Sequence, residues 1–286
     1  MFDSKNIRPM LLAEIPFDFN SKYLYEIKFD GIRAIVYANK EKINIRTRNN
    51  IDVTDLFPEL ESIKKIVGKR TCIFDGEIVL FAKGKPSFSN LQKRLRIKNN
   101  DRIKEASLDN PVQFVVFDII YQNKDLTNEM LIERKKILDK YKDTDYFVKS
   151  EVYSDGKKLF ASVKKMGLEG IVAKEKESFY YPNKRSEVWV KLKNYQTDTF
   201  YIGGYIKNKV GISLLLGEKK NNGLYYVGKI SVSYKREIVK EIIKEKNNKN
   251  LFVNYDGDGV FIKPNIKITI NYLEKTKSNM LRHPFI

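Results

Sequence analysis

The stretch 25-YEIKFDGIR-33 sets Glu26, Lys28 and Asp30 at every second position of an otherwise apolar run and closes on Gly31 and Arg33. Read as a strand, it sends Tyr25, Ile27 and Phe29 toward a core and the three charges to the opposite face. That face must be solvated or border a polar cleft. A solvated edge strand accounts for a lone Lys-x-Asp, but three later runs repeat the arrangement. In 72-CIFDGEIVLF-81, Asp75 and Glu77 share a face. Glu77 sits inside an apolar strand, where an unpaired carboxylate is costly and a metal or polar ligand would relieve it. In 168-LEGIVAK-174, Glu169 enters a short strand through Gly170 and Lys174 ends it. In 187-EVWVKLK-193, Trp189, Lys191 and Lys193 share one face, and Val188, Val190 and Leu192 form the other. Adjacent cations imply an anion between them, for which phosphate is the natural candidate.

Up to Gln196, short β-branched and aromatic runs such as 34-AIVYA-38 and 114-FVVFDIIY-121 alternate with helical stretches over 55–67 and 128–142, the pattern of an α+β domain. Beyond it the chain turns to strands: 199-TFYIGGYI-206, 211-GISLLLGE-218 and 224-LYYVGKISVSY-234, the last two joined through Asn222 and Gly223 as in a hairpin. A helix over 235–248 follows, with Ile238, Val239, Ile242 and Ile243 on one face, and then strands in 250–255, 259–264 and 266–274. The pattern predicts a small Greek-key barrel of OB type. Residues 1–196 and 197–286 are thus the expected domains.

The chain has 54 Lys+Arg against 36 Asp+Glu, a net charge of +18 that favours a polyanionic partner. Residues 198–286 hold +8 of it, so the small domain is the more densely basic and suited to clamping an anionic strand. The N-terminal run mixes charges and prolines, and no stretch is apolar enough to span a bilayer, so a cytoplasmic protein with no membrane partner is expected. One cysteine, Cys72, excludes an intrachain disulfide and a cysteine-ligated zinc, and the one histidine, His283, gives no basis for a histidine triad. Chemistry must rest on lysine and carboxylates.

Lys28, Asp30, Gly31 and Arg33 match the Lys-x-Asp-Gly-x-Arg signature, and the chain thereby resembles the covalent nucleotidyltransferases: ATP-dependent DNA ligases, RNA ligases and mRNA capping enzymes. The later runs resemble the family's remaining motifs in order, around Arg48, Glu77, Phe117, Glu169 with Lys174, and Lys191 with Lys193. Within the superfamily the chain is most similar to DNA ligases, especially the ligase domains of bacterial end-joining ligases, through 46-RTRNNIDVTDLFPEL-60, 86-PSFSNLQKRL-95, 201-YIGGY-205 and 281-LRHPF-285.

The resemblance implies a nucleotidyltransferase (adenylation) domain followed by an OB-fold DNA-binding domain. It implies a monomer that seals 5′-phosphate/3′-hydroxyl nicks in duplex DNA during repair, associated with the nucleoid in a bacterium. Lys28 would carry AMP from ATP, with Asp30, Arg33, Lys191 and Lys193 completing the catalytic set. Glu26 would take the adenine edge, Phe117 its face, and Arg33, Arg48 and Glu77 ribose or DNA-end contacts. Lys174, Lys191 and Lys193 would hold the α-phosphate, and Glu77 and Glu169 would bind Mg²⁺ or Mn²⁺. An ordinary lysine amine titrates near about 10.4, so the site must favour the neutral form for attack. Arg33, the paired lysines and a metal would do so, while Asp30 and Glu26 oppose it. DNA contacts would go chiefly to phosphate and sugar, so binding should weaken steeply with salt.

The same lysine would serve an RNA ligase or capping-type enzyme, and a non-catalytic nick-binding protein on a ligase scaffold is a further alternative. These ligases usually continue past an RHP-like segment into an Arg-x-Asp-Lys motif that helps orient pyrophosphate. A truncated chain, a natural short form and a protein that seals pre-adenylated nicks better than it charges itself all stay open.

Overall fold

The computed structural model describes residues 2–221, 223–245 and 249–286. The chain divides between Asn194 and Tyr195 into two compact units. The strands of the first are β1 (Leu11–Ala13), β2 (Tyr23–Ile27), β3 (Ile32–Ala38), β4 (Ile43–Thr47), β5 (Cys72–Ala82), β6 (Lys85–Pro86), β7 (Val112–Gln122), β8 (Phe147–Lys149), β9 (Gly170–Glu175) and β10 (Arg185–Lys193). They build two sheets, β1-β10-β9-β2 and β4-β3-β5-β7-β8, with β6 attached to β5. All pairings are antiparallel except β1 with β10 and β7 with β8.

Side-chain alternation explains the layering. On β3, Ala34, Val36 and Ala38 enter an outer core with Phe57, Leu60 and Phe74, while Ile35 and Tyr37 enter a second core with Met10, Ile120, Tyr180 and Trp189. Because that second core draws on both sheets, it lies between them. On β2, Tyr23 and Tyr25 pack with Leu159 and Val163 of the helix Gly156–Met166, on the far side of the first sheet. The opening stretch departs from its expected alternation after Ile27, where β2 ends. There the Lys28 N–H donates to the Gly170 carbonyl at 2.9 Å. Phe29 accordingly leaves the core and meets the edge of the Phe81 ring. Gly31 is required by close approach, since a Cβ there would lie 2.2 Å from the Ile78 carbonyl oxygen.

The predicted helix over 55–67 forms as 3-10 turns at Thr54–Leu56 and Pro58–Ser62 followed by a short α-helix, Ile63–Val67. Pro58 has no N–H to give and forces Phe57 out of helical geometry, which splits the segment. The helix expected over 128–142 contracts to Leu131–Leu138. Further helices form at Phe88–Leu95, Asn100–Asp109 and Gly156–Met166. The last is capped by the Asp155 side chain, which accepts from the Lys158 N–H, and closes at Gly167 with φ +65.

In the second unit, β11 (Gln196–Lys207), β12 (Gly211–Lys220), β13 (Gly223–Ser233), β14 (Val260–Phe261) and β15 (Lys267–Tyr272) form one antiparallel sheet. The order is β13-β12-β11-β14, and β15 also pairs with β11. One edge of β11 is shared: Gln196–Tyr201 pairs with β15 and Gly204–Tyr205 with β14. Among the described residues no ladder joins β13 to β15, so the strands form an open sheet and not the closed barrel expected from sequence. The strand expected over 250–255 is reduced to a bridge between Leu224 and Phe252. Of the predicted turn pair, Asn222 lies outside the described residues. The helix runs Glu237–Lys244, and the end predicted for it at 246–248 also lies outside them. Val239 and Ile242 are buried, whereas Ile243 is exposed despite its predicted place on the same face. No helix among the described residues is long and apolar enough to cross a membrane.

Candidate active site

A cavity of about 490 Å³ opens between the two sheets of the first unit, a size suited to a nucleotide. β2 and the loop after it contribute Glu26 and Lys28, β3 Arg33, β5 Glu77, β7 Phe117, the residue before β9 Glu169, the far end of β9 Lys174, and β10 Trp189, Lys191 and Lys193. Arg48 reaches it from the exposed turn after β4, where Asn50 adopts φ +64. All the predicted site residues therefore border one cavity except Asp30, which falls outside the lining. The strand alternation that paired Asp30 with Lys28 does not extend past Ile27.

The Lys28 Nζ donates to Glu169 Oε2 at 2.8 Å. Gly170, next to Glu169, is fixed by the β10 backbone, where a Cβ would stand 2.1 Å from the Leu192 carbonyl oxygen. Arg33 makes a two-pronged pair with the buried Asp75, Nε to Oδ1 at 2.6 Å and Nη2 to Oδ2 at 2.7 Å. Tyr180 donates to Asp75 Oδ2 at 2.5 Å. Burial alone would lower the guanidinium's pKa, and Asp75 more than reverses that. The Arg33 guanidinium also lies 4.5 Å from the centre of the Phe117 ring, and Lys174 Nζ lies 4.1 Å from it.

Glu26 is buried, with Lys174 donating to its Oε1 at 2.9 Å and Lys135 forming an ion pair with the same oxygen at 2.7 Å. Burial pushes the Glu26 pKa up, but the two lysines outweigh it and hold the carboxyl below its ordinary value. Burial pushes Lys174 down to about 8, helped by Lys135 and opposed by Glu26. Glu77 is raised to about 7, first by burial and then by Glu169 and Asp75, against the pull of Lys28 and Arg33. Glu77 and Glu169 both border the cavity. They are hard oxygen donors beside Lys28, and among the described residues no larger carboxylate, His or Cys cluster forms a metal cage.

Sequence reasoning missed several supports. The anion between Lys191 and Lys193 is the Glu14 carboxylate, at 3.0 and 3.4 Å, contributed by an N-terminal segment carrying no motif signal. Lys135 and Tyr180 likewise come from segments whose approach depends on tertiary structure. Asp75 was singled out beside Glu77, yet its partner Arg33 became visible only through the β3–β5 pairing.

The domain family described as "ATP dependent DNA ligase domain" matches residues 9–193. The multifunctional non-homologous end joining protein LigD of Mycolicibacterium smegmatis is 29% identical over 99% of this chain and 39% of its own length. The chain therefore spans well under half of that relative. The SPbeta prophage-derived DNA ligase-like protein LigB of Bacillus subtilis is 31% identical over 97% of each chain. Among solved structures, mycobacterial DNA ligase D complexed with ATP and MES aligns with a TM-score of 0.62 at 28% identity, covering 98% of this chain and 93% of that one.

Proposed function

Because this chain belongs to the ATP-dependent DNA ligase domain family, we propose that it seals 5′-phosphate/3′-hydroxyl nicks in duplex DNA, in repair, through AMP carried on Lys28. The observation that carries the reading is the Lys28 amine facing the cavity beside Glu169, within a site also bordered by Arg33, Lys174, Lys191 and Lys193. The Lys28 nitrogen attacks the α-phosphorus of ATP, forming a P–N bond as the bond to pyrophosphate breaks. Its departing proton has the Glu169 carboxylate at 2.8 Å as the nearest acceptor. The AMP then passes to the 5′-phosphate of the nick, freeing Lys28, and the 3′-hydroxyl displaces AMP to close the backbone. Catalysis in such transfers is mostly alignment and charge stabilisation.

Lys174, Lys191 and Lys193 hold the α-phosphate, Glu26 meets the adenine edge and Phe117 its face, and Arg33, Arg48 and Glu77 contact ribose or the DNA end. Asp30, outside the lining, acts by shaping the loop that presents Lys28. Glu77 and Glu169 would hold Mg²⁺, which keeps few protein ligands and shares substrate phosphates, and the ion would supply charge neutralisation. The second unit, with its basic composition and five-stranded sheet, acts as an OB-like DNA-binding domain. Incubation with α-labelled ATP and Mg²⁺ should leave label on the denatured protein, and a chase with a nicked duplex should move it to DNA and then release AMP. Label that never enters the protein, under conditions where sealing proceeds, overturns the proposal.

Lys174 supplies a pH prediction. With its pKa held near 8, it is cationic below that value and loses its charge, and its grip on phosphate, as pH rises through it. Self-adenylylation should fall on the alkaline side of about pH 8. Lys174→Arg, which keeps its charge, should move that fall upward by at least about one unit. An unmoved alkaline limb in a folded, active variant would separate Lys174 from the phosphate.

A further inference from the structure

Glu26 is gripped asymmetrically. Both Lys174 and Lys135 approach Oε1, Lys174 through a hydrogen bond of 2.9 Å and Lys135 as an ion pair at 2.7 Å without hydrogen-bond geometry, while the residue borders the cavity. The two lysines arrive by different routes. Lys174 lies on β9, lines the same cavity and stands over the Phe117 and Trp189 rings at 4.1 and 4.5 Å. Lys135 comes from the helix Leu131–Leu138, is itself buried, and borders a second cavity of about 540 Å³ with Asp139, Asp143, Lys149 and Glu151. Lys135 therefore reaches the site from behind and does not line the first cavity.

Glu26 is 2% exposed, so its charge survives only because cations offset the loss of solvation. An ionised carboxylate is acceptor-only, and what it meets must donate. A protonated carboxyl can also donate, and would then accommodate a base edge that offers a carbonyl. Charge at Glu26 is thus a choice between base edges, and it rests on both lysines, one of which is not part of the cavity wall.

We propose that Lys135 is a positioning residue for base selection: it keeps Glu26 anionic and its Oε1 engaged, so that Oε2 presents a fixed acceptor to an exocyclic amine of the nucleotide. This rests on the nucleotide-binding reading above and extends it to a residue outside the cavity. Removing Lys135 leaves Lys174 as the single cation on a buried carboxylate, and the acceptor-only character is lost along with the orientation.

The test compares self-adenylylation by ATP with the corresponding labelling by GTP and by purine riboside triphosphate, which lacks the amine, in wild type, Lys135→Met, Lys135→Gln and Lys135→Arg. Wild type should strongly prefer ATP. In Lys135→Met the preference, as a ratio of kcat/KM values, should fall about tenfold or more, the scale of losing a hydrogen bond to a charged group. It should fall chiefly through a raised KM for ATP. Lys135→Gln, neutral but polar, should fall similarly, and Lys135→Arg should restore most of the ratio. Thermal melting identifies any variant that fails to fold, and the Gln and Arg variants then decide the matter. An unchanged ratio in a folded neutral variant, or equal loss with all three nucleotides, overturns the proposal. Absence of any lysyl adduct in wild type would instead overturn the parent reading.

Discussion

Lys28→Ala is expected to abolish the covalent adenylate and to lower joining from ATP by on the order of 10⁴-fold or more, as loss of a reacting nucleophile does elsewhere. The fold should survive, because Lys28 borders the cavity and packs into no core cluster, its ion pair among the described residues being with Glu169. Lys28→Arg should be equally inactive, since a guanidinium keeps its proton at any workable pH and offers no lone pair. A nick already carrying AMP on its 5′-phosphate bypasses the charging step, and Lys28→Ala should still close it. This combination distinguishes a missing nucleophile from a collapsed site. A labelled adduct on Lys28→Ala protein, mapped by mass spectrometry to another residue, would refute the assignment.

The second large effect concerns stability. Arg134 and Asp118 have no side-chain exposure and form a two-pronged pair, Nε to Oδ1 and Nη2 to Oδ2, both at 2.8 Å. Arg134 Nη1 also donates to the Glu129 carbonyl at 2.6 Å and to the Ser178 carbonyl at 3.2 Å. Arg134→Met strands a buried carboxylate and the Glu129 carbonyl, while the Ser178 carbonyl keeps its bond from the Leu131 N–H, and should cost about 3–5 kcal/mol in denaturant unfolding. The damage should reach the site, because the Ser178 hydroxyl accepts from the Trp189 indole at 3.2 Å. Asp118→Asn combined with Arg134→Met should recover part of the loss, since the uncompensated charge is gone. A single variant within about 1 kcal/mol of wild type would show that solvent or rearrangement rescues Asp118.

The site was more legible in sequence than the scaffold holding it. Glu77 among apolar neighbours and the paired lysines of β10 break the hydrophobic pattern, and such breaks are visible without a fold. What each charge pairs with was hidden, because Glu14, Lys135 and Tyr180 reach their partners only once the sheets have formed. Lys191 and Lys193 did signal an anion, but its identity as Glu14 depends on a segment more than 170 residues away in sequence. The alternation expected over 25–30 stops at Ile27, because pattern alone carries no information about where the pairing of β2 with β9 gives out. Pro58 was visible throughout, and the helix over 55–67 was nevertheless expected on periodicity alone. In the second unit, strand-like runs were recognised better than their pairing. β14, two residues long, shares the β11 edge with β15, which takes its first half.

Glu14 gives the paired lysines an occupant of their own. An incoming anion at Lys191 and Lys193 meets a seat already taken and enters by exchange, so its net gain is the difference between two partners and not the whole attraction of two cations. A weakly charged intruder gains little from that swap, whereas a polyphosphate gains much. On the proposed reading of Lys191 and Lys193 as phosphate holders, the carboxylate would set a threshold of charge that an incoming anion has to exceed.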